Sequence, residues 1–212
     1  MILDHPIFLE SIAYIHNRLG ESIQDNYQQK VLERLIHASG DFGLQDLLKF
    51  SDDACNTAIQ AIRSGAPILT DTKMAQAGIK PLAQRISGNK VFCILDWIDN
   101  LEANEQAKRS TRTELGLEIA WNELSNEFVG DRSPIVVIGS SPTALKKLLQ
   151  IIGSTDQYPS LIIGMPVGFI GVEDSKNLLK VSKASYIMLE STRGGAGLAA
   201  AAINALLRES IE

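Results

Sequence analysis

The sequence predicts a single α/β domain over residues 1–212, with a mainly parallel β-sheet covered by helices on both faces and a helical N-terminal third. Short apolar runs, most of them bounded by Gly, Pro, Asp or Ser, lie at residues 67–69, 91–95, 135–138, 161–163 and 186–189. Helical patterns separate these runs, most clearly at residues 111–124, 142–152, 173–179 and 196–207. Apolar strands that alternate with helices are typical of a parallel sheet buried on both faces.

The N-terminal third has the periodicity of helices rather than strands. Its first apolar stripe has steps of four, three and four residues: Phe8, Ile12, Ile15 and Leu19. A second helix is predicted at residues 27–39, where Gly40 ends it. A third is predicted at residues 52–64, with Ser51 as its N-cap. No internal repeat or linker divides the chain, so one domain is expected.

Composition and charge exclude several classes of protein. The chain of 212 residues has a net charge of −5 and no run of four Lys or Arg residues, which argues against nucleic-acid binding. Cys55 and Cys93 lie far apart, a pattern that favours free thiols in a reducing compartment over disulfides or a zinc site. No apolar stretch reaches the roughly 18 residues of a membrane span, and the N-terminus lacks the features of a signal peptide. We therefore expect a cytoplasmic protein with no nucleic-acid or membrane partner.

Four polar or glycine-rich segments follow predicted strands. They are Thr70-Asp71-Thr72, Gly139-Ser140-Ser141-Pro142-Thr143, Gly164-Met165-Pro166-Val167-Gly168 and Arg193-Gly194-Gly195. In parallel sheets such segments gather outside the carboxyl ends of the strands, where ligands usually bind. The sequence therefore places a candidate site at this edge.

Each candidate group at that edge has two interpretations. Ser141 before Pro142 predicts a helix start whose free N–H groups would bind an anion, or simply a tight turn. Gly194 and Gly195 either let the backbone approach a ligand or let the following Ala-rich helix pack closely. Arg112 either grips a carboxylate with two hydrogen bonds or lies on the surface as a lone helix arginine.

His37 is the histidine whose placement suggests chemistry. On a helical wheel it points away from the apolar face of its helix, and it lies in the last turn before Gly40. The negative end of the helix dipole favours imidazolium there, by up to about 2 kcal/mol when the group is partly buried. The competing interpretation is a solvated histidine that only complements the dipole. His5 and His16 have no comparable placement.

Sequence motifs for cofactors and metals are missing. There is no G-x-G-x-x-G after a strand, no G-x-x-x-x-G-K-[ST], no H-E-x-x-H and no G-x-S-x-G. The three histidines and two cysteines show no metal-ligand spacing. From the residues alone, we expect no cofactor and no bound metal.

Taken together, several blocks resemble one family along nearly the whole chain. The block Ile36-His37-Ala38-Ser39-Gly40-Asp41 is similar to the I-H-A-[ST]-G-D block of the precorrin-8X methylmutases. Further similar blocks follow the family's order: His5-Pro6-Ile7 with Ser11, Gly65 to Thr72 with Met74, Thr111-Arg112, Pro142 to Leu145, Gly164 to Gly171, Glu173-Asp174-Ser175-Lys176, and the Gly-Gly pair before Ala199 to Leu206.

The resemblance implies an isomerase that moves a methyl group between neighbouring carbons of a corrinoid ring. Its substrate is precorrin-8, which becomes hydrogenobyrinate, or the cobalt-bearing counterpart. Such a shift needs no redox cofactor and no methyl donor, but it does need the macrocycle held in one conformation. The family's histidine in this block donates a proton to the conjugated ring, and His37 matches it.

The resemblance also implies how the acidic substrate is held. The groups expected to contact its carboxylates are Ser11, Thr72, Arg112, Ser141, Thr143, Gly168, Arg193, Gly194 and Gly195. Members of the family are homodimers, and the same is expected here.

Two departures from the family pattern concern substrate contact. Gly139-Ser140-Ser141-Pro142-Thr143 stands where members commonly have G-N-A-P-T. The segment Glu190 to Ala196 stands where members commonly have a basic pair and a serine after the glycines, and its glutamate weakens the local attraction for carboxylates. Two other functions remain open. One is a corrinoid carrier without turnover, and the other is a nucleotide- or S-adenosylmethionine-dependent transferase, against which the missing glycine motif argues.

Overall fold

The computed structural model describes residues 5–20, 25–98, 110–155 and 157–211. The helices in these ranges are α1 (Pro6–Leu19), α2 (Asn26–Ser39), α3 (Leu44–Leu47), α4 (Ala54–Arg63), α5 (Lys73–Ile86), α6 (Arg112–Glu127), α7 (Pro142–Ser154), α8 (Val172–Lys180) and α9 (Ala196–Glu209). The strands are β1 (Leu48–Phe50), β2 (Ile68–Thr70), β3 (Val91–Cys93), β4 (Ile135–Ile138), β5 (Leu161–Gly164) and β6 (Tyr186–Leu189). This alternation confirms the predicted α/β class.

The strands form one sheet in the order β1-β6-β5-β4-β2-β3. All neighbouring pairs from β2 to β6 are parallel, whereas β1 runs antiparallel to β6, with Leu48 opposite Leu189. The chain passes from β2 to β3 on one side and then returns to β4 on the other side, so its winding direction reverses between β2 and β4. In open α/β sheets, ligands bind outside the carboxyl ends of the strands at such a reversal.

Helices cover both faces of the sheet, as predicted. In β4, Ile135 and Val137 face one hydrophobic core, which includes side chains of α1, α2, α4, α5 and α9. Val136 and Ile138 face the other core, with α6, α7 and α8. All four residues of β4 are buried, which explains why the strand is continuously apolar rather than alternating.

Several predicted boundaries differ from the structure. The third predicted helix begins at Ala54, with Asp53 as its N-cap, so the prediction that Ser51 caps it is wrong. Ser51 instead pairs with β6, because its Oγ accepts the N–H of Tyr186 at 2.8 Å. The apolar run after Val91 also ends early as a strand, since Ile94–Trp97 form a 3-10 turn.

Helix α5 and strand β1 are not among the predicted elements. α5 packs against α9 across small side chains, where a Cβ placed on Gly78 would lie 3.2 Å from the Cβ of Ala200. Asn204 stabilises the same contact between α5 and α9, because its Nδ2 donates to the carbonyl of Gly78 at 2.9 Å. The alanines of α9 are thus explained by close helix packing.

Among the described residues, no helix is long and apolar enough to cross a membrane.

Candidate active site

The four segments predicted to form a site meet at the carboxyl edge of the sheet. The carboxylate of Asp71, after β2, accepts hydrogen bonds from the segment after β4. The N–H of Gly195, after β6, donates to the carbonyl of Met165, after β5, at 2.9 Å. The N–H of Gly168 donates to the carbonyl of Thr192 at 3.2 Å. These bonds join the loops on both sides of the winding reversal.

The side-chain carboxylate of Asp71 binds the backbone N–H groups just before α7. Its Oδ2 accepts the N–H groups of Ser140 at 2.6 Å and Ser141 at 2.8 Å. Ser141 caps the helix as predicted, since its Oγ accepts the N–H of Ala144 at 3.1 Å. Asp71 therefore occupies the N–H groups of Ser140 and Ser141 within the chain, and anion binding at the start of α7 stays a prediction. Burial raises the pKa of Asp71, although the backbone N–H groups around it oppose the shift.

A cluster of hydroxyl groups joins the starts of α6 and α7. Thr111, the N-cap of α6, lies 2.7 Å from Thr143 between side-chain oxygens, and Thr113 lies 2.7 Å from Ser141. The Ser141 and Thr143 hydroxyls are 3.0 Å apart. Because Arg112 is the first residue of α6, the cluster brings Arg112 into the neighbourhood of Ser141 and Thr143, three of the predicted substrate contacts.

Thr72 and three glycines have local structural tasks. The Oγ1 of Thr72 caps α5 by accepting the N–H of Ala75 at 3.2 Å. The N–H groups of Gly168 and Gly195 are already bonded within the loops, as described above. A Cβ on Gly194 would lie 2.1 Å from the carbonyl oxygen of Met165. For Gly194 the structure therefore favours close packing of backbone segments over close approach to a ligand.

His37 lies half-buried in the last turn of α2, which Gly40 ends in the left-handed conformation with φ of 69°. Its Nδ1 is 2.9 Å from the Oγ of Ser11, and the ring of Phe8 meets it edge-on with centroids 4.9 Å apart. Burial, and then the charge of Arg34, lower the pKa of His37. Both effects act against the preference for imidazolium that the helix end predicts.

Arg193 connects the β6 loop to the segment that follows His37. Its guanidinium forms an ion pair with the carboxylate of Asp41. The other carboxylate oxygen of Asp41 accepts the N–H of Gly43 at 2.8 Å. That N–H and Arg193 hold the pKa of Asp41 below its usual value. Arg193, a candidate carboxylate-binding residue, thus pairs with the segment that follows His37, the candidate catalytic residue.

Glu190 interferes less with carboxylate binding than its charge suggests. It accepts a hydrogen bond from Lys180 at 2.6 Å and lies 3.8 Å from the Nζ of Lys49. The hydrogen bond from Lys180 lowers the pKa of Glu190, and the lysine charges oppose its own. Two cations therefore offset this departure from the family pattern.

Lys176 is a site residue whose role is not apparent from the sequence. Its side chain is buried on α8, and its Nζ donates to the carbonyls of Ser191 at 2.7 Å and Arg193 at 2.6 Å. Burial lowers the pKa of Lys176 to about 8. The only signal in the sequence is its place in the Glu173 to Lys176 block, which does not reveal these bonds. Lys176 holds the loop that carries Arg193.

Replacing Lys176 with methionine is expected to lower the free energy of unfolding by about 2 kcal/mol, because the carbonyls of Ser191 and Arg193 lose a charged donor. Chemical denaturation of both proteins at pH 7 measures the difference. Lys183→Met is the matched control, since Lys183 is exposed and its replacement should change stability by less than about 0.5 kcal/mol. Equal effects of the two substitutions would contradict the assigned role.

Fold and geometry together define the class: an α/β protein with a polar edge at the winding reversal and a half-buried histidine four residues before Asp41, which pairs with Arg193 of that edge. The sequence pattern of precorrin-8X methylmutases matches residues 6–209. The chain belongs to the precorrin-8X methylmutase family, whose members are isomerases that move a methyl group within their substrate in cobalamin biosynthesis. The predicted family resemblance is confirmed.

Relatives in the family cover nearly the whole chain. The cobalt-precorrin-8 methylmutase of Synechocystis sp. is 33% identical and covers 97% of this chain and 95% of its own length. The precorrin-8X methylmutase of Pseudomonas aeruginosa is 36% identical over 85% of this chain and 84% of its own. The solved structure of the precorrin-8X methylmutase from Thermus thermophilus superposes with a TM-score of 0.85, at 33% identity, over 97% of this chain and 95% of that one.

Proposed function

We propose that this chain converts precorrin-8X to hydrogenobyrinate, or cobalt-precorrin-8 to the cobyrinate counterpart, with His37 as general acid. The observation that carries the proposal is the placement of His37. It is half-buried at a helix end, hydrogen-bonded at Nδ1, and lies four residues before Asp41, which pairs with Arg193 at the carboxyl edge of the sheet. Relatives named for either form of the substrate are similarly close to this chain, so both forms are tested below.

The proposed chemistry needs one proton and no other reactant. A proton on the imidazole passes to the conjugated ring system of the substrate, which lowers the barrier for the methyl group to change carbons, and then returns. General acid catalysis of this kind contributes roughly 10²- to 10⁴-fold. The rest of the rate enhancement comes from holding the macrocycle so that the methyl group lies over the carbon to which it moves. No cofactor takes part in this scheme.

Arginine side chains are proposed to bind the carboxylates of the substrate. Arg193 presents its guanidinium beside Asp41, and Arg112 begins α6 beside the hydroxyl cluster of Ser141 and Thr143. A guanidinium can pair with two carboxylates through different N–H groups, so the pairing with Asp41 leaves donors on Arg193 for a ligand. Local attraction of this kind is needed because the chain as a whole carries a net charge of −5.

The pH dependence of turnover tests the role of His37. If imidazolium donates the proton, both kcat/KM and kcat fall as pH rises through the pKa of His37. The midpoint in kcat/KM, which reports the free enzyme, is expected below the ordinary value of about 6.5, because burial and Arg34 lower that pKa. The midpoint in kcat is expected at higher pH, because the bound carboxylates favour the charged ring. Profiles that rise with pH would contradict this role.

We further propose that the chain acts as one cytoplasmic domain that forms a homodimer. Exposed apolar side chains support the dimer: Phe169 and Ile170, between β5 and α8, are 89% and 88% exposed, and Ile7 and Tyr14 of α1 are 69% and 62% exposed. Patches of this kind commonly mark interfaces. Sedimentation equilibrium is expected to give twice the mass of one chain, and a single-chain mass would refute the dimer.

Co-expression of the chain with the enzymes that make its substrate tests corrinoid binding. The purified protein is expected to carry the absorption band of a corrinoid product. Mass spectrometry of the extracted ligand then shows whether it contains cobalt. Colourless protein that also fails to bind added product would sink the proposal, and a thermal shift with S-adenosylmethionine or a nucleotide would favour the transferase instead.

A further inference from the structure

The first helix carries two side chains that contact the ring of His37. Phe8 and Ser11 are three residues apart on α1, so they lie on one face of the helix. The hydroxyl of Ser11 is 2.9 Å from Nδ1 of His37, and the Phe8 ring meets the imidazole at an interplanar angle of 83°. Sequence reasoning placed Ser11 against the substrate, whereas the structure places it against the histidine.

The ring of Phe8 also contacts two arginine side chains. The guanidinium carbon of Arg34, on α2, lies 4.9 Å from the centre of its ring, and that of Arg208, on α9, lies 5.2 Å from it. Cation–π contacts of this kind fix the plane of an aromatic ring. The imidazole therefore meets a ring surface that is anchored by two other helices.

We propose that Ser11 is a positioning residue that confines proton exchange on His37 to Nε2. A serine hydroxyl can accept a hydrogen bond from Nδ1–H of imidazolium and can keep accepting it after the ring has lost its other proton. Nδ1 thus keeps both its proton and its partner in the two protonation states, and Nε2 is the nitrogen that gains or loses the proton. The inference rests on the proposed function, because it assigns the atom through which His37 acts.

The proposed step neither consumes nor releases a proton overall. The N–H bond at Nε2 breaks as a nitrogen of the substrate's ring gains that proton. After the methyl group has changed carbons, the same proton returns to Nε2. The hydrogen bond from Nδ1–H to the Ser11 hydroxyl keeps its direction throughout the transfer.

The test compares Ser11→Ala with Ser11→Thr, which keeps the hydroxyl. In the wild-type full-length chain, above the pKa of His37, nitrogen NMR of the histidine ring is expected to show the Nδ1–H tautomer. The His37 signal is assigned by its loss in His37→Gln. Ser11→Ala should show a mixture of tautomers and a kcat roughly tenfold lower with KM within about twofold, the usual loss for one hydrogen bond. Ser11→Thr should restore both values.

An unchanged tautomer together with an unchanged kcat in Ser11→Ala would overturn the proposal. A raised KM at constant kcat would also overturn it, since that result makes Ser11 a substrate contact. The NMR measurement needs no turnover, so it separates this inference from the proposed function. If the wild type shows no conversion, the proposed function fails while the tautomer result still decides the role of Ser11. Circular dichroism of each variant identifies loss of folding. If Ser11→Ala does not fold, the tautomers of the wild type and of Ser11→Thr decide the role of Ser11.

Discussion

Replacing His37 with alanine is expected to slow conversion of the corrinoid at least a hundredfold while weakening product binding by less than about tenfold. The substitution removes the proposed proton donor, and general acid catalysis contributes roughly 10²- to 10⁴-fold. It leaves Asp41 and Arg193 in place, so most of the grip on the substrate's carboxylates remains. Turnover is followed by the change in ring absorption, and binding is followed by titration with product.

A histidine outside the site provides the control for this variant. His5 is exposed and caps α1 by accepting the N–H of Ile7. His5→Asn keeps a good capping side chain and should convert substrate at the wild-type rate. An unaltered rate in His37→Ala would remove His37 from the mechanism. Binding without conversion in the wild type itself would instead identify a corrinoid carrier.

Replacing Gly194 with alanine is expected to cost about 3 kcal/mol of unfolding free energy or more. The new Cβ would lie 2.1 Å from the carbonyl oxygen of Met165 and 2.9 Å from that of Pro166. These are backbone atoms, so they cannot turn aside as a flexible side chain could. Relief requires the β6 loop to leave the β5 loop, which also breaks the hydrogen bond from Gly195 to Met165.

Gly197 offers a matched control three residues further on. A Cβ on Gly197, within α9, would meet no atom within 4 Å. Gly197→Ala should therefore be neutral or stabilise the chain by about 0.5–1 kcal/mol, since alanine favours a helix. Chemical denaturation of both variants measures the contrast. A loss of similar size in both would show that the β5 and β6 loops are not packed as described.

The sequence predicts those parts of the structure that depend on local pattern. Continuous apolar runs mark β4 and β5 because both faces of the sheet are covered. Ser141 before Pro142 marks the start of α7, because capping depends on the neighbouring residues alone. β1 escapes prediction because Lys49 lies between Leu48 and Phe50, so the strand has no continuous apolar run.

The site contacts escape prediction because they join distant parts of the chain. Asp71 binds a backbone N–H 69 residues away, and Arg193 pairs with Asp41 across 152 residues. Nothing in either local sequence specifies the partner. The direction of the pKa shift at His37 is missed for the same reason. The helix end is visible in the sequence, whereas the burial that lowers the pKa of His37 depends on tertiary packing.

The most direct measurement is the conversion of metal-free and cobalt-bearing substrate by the purified chain, with no nucleotide, methyl donor or metal added. We predict that at least one of the two forms changes its absorption to that of the product ring while its mass stays the same. A product heavier by one methyl group, or bound substrate of either form that is never converted, would contradict an isomerase that moves a methyl group within one molecule.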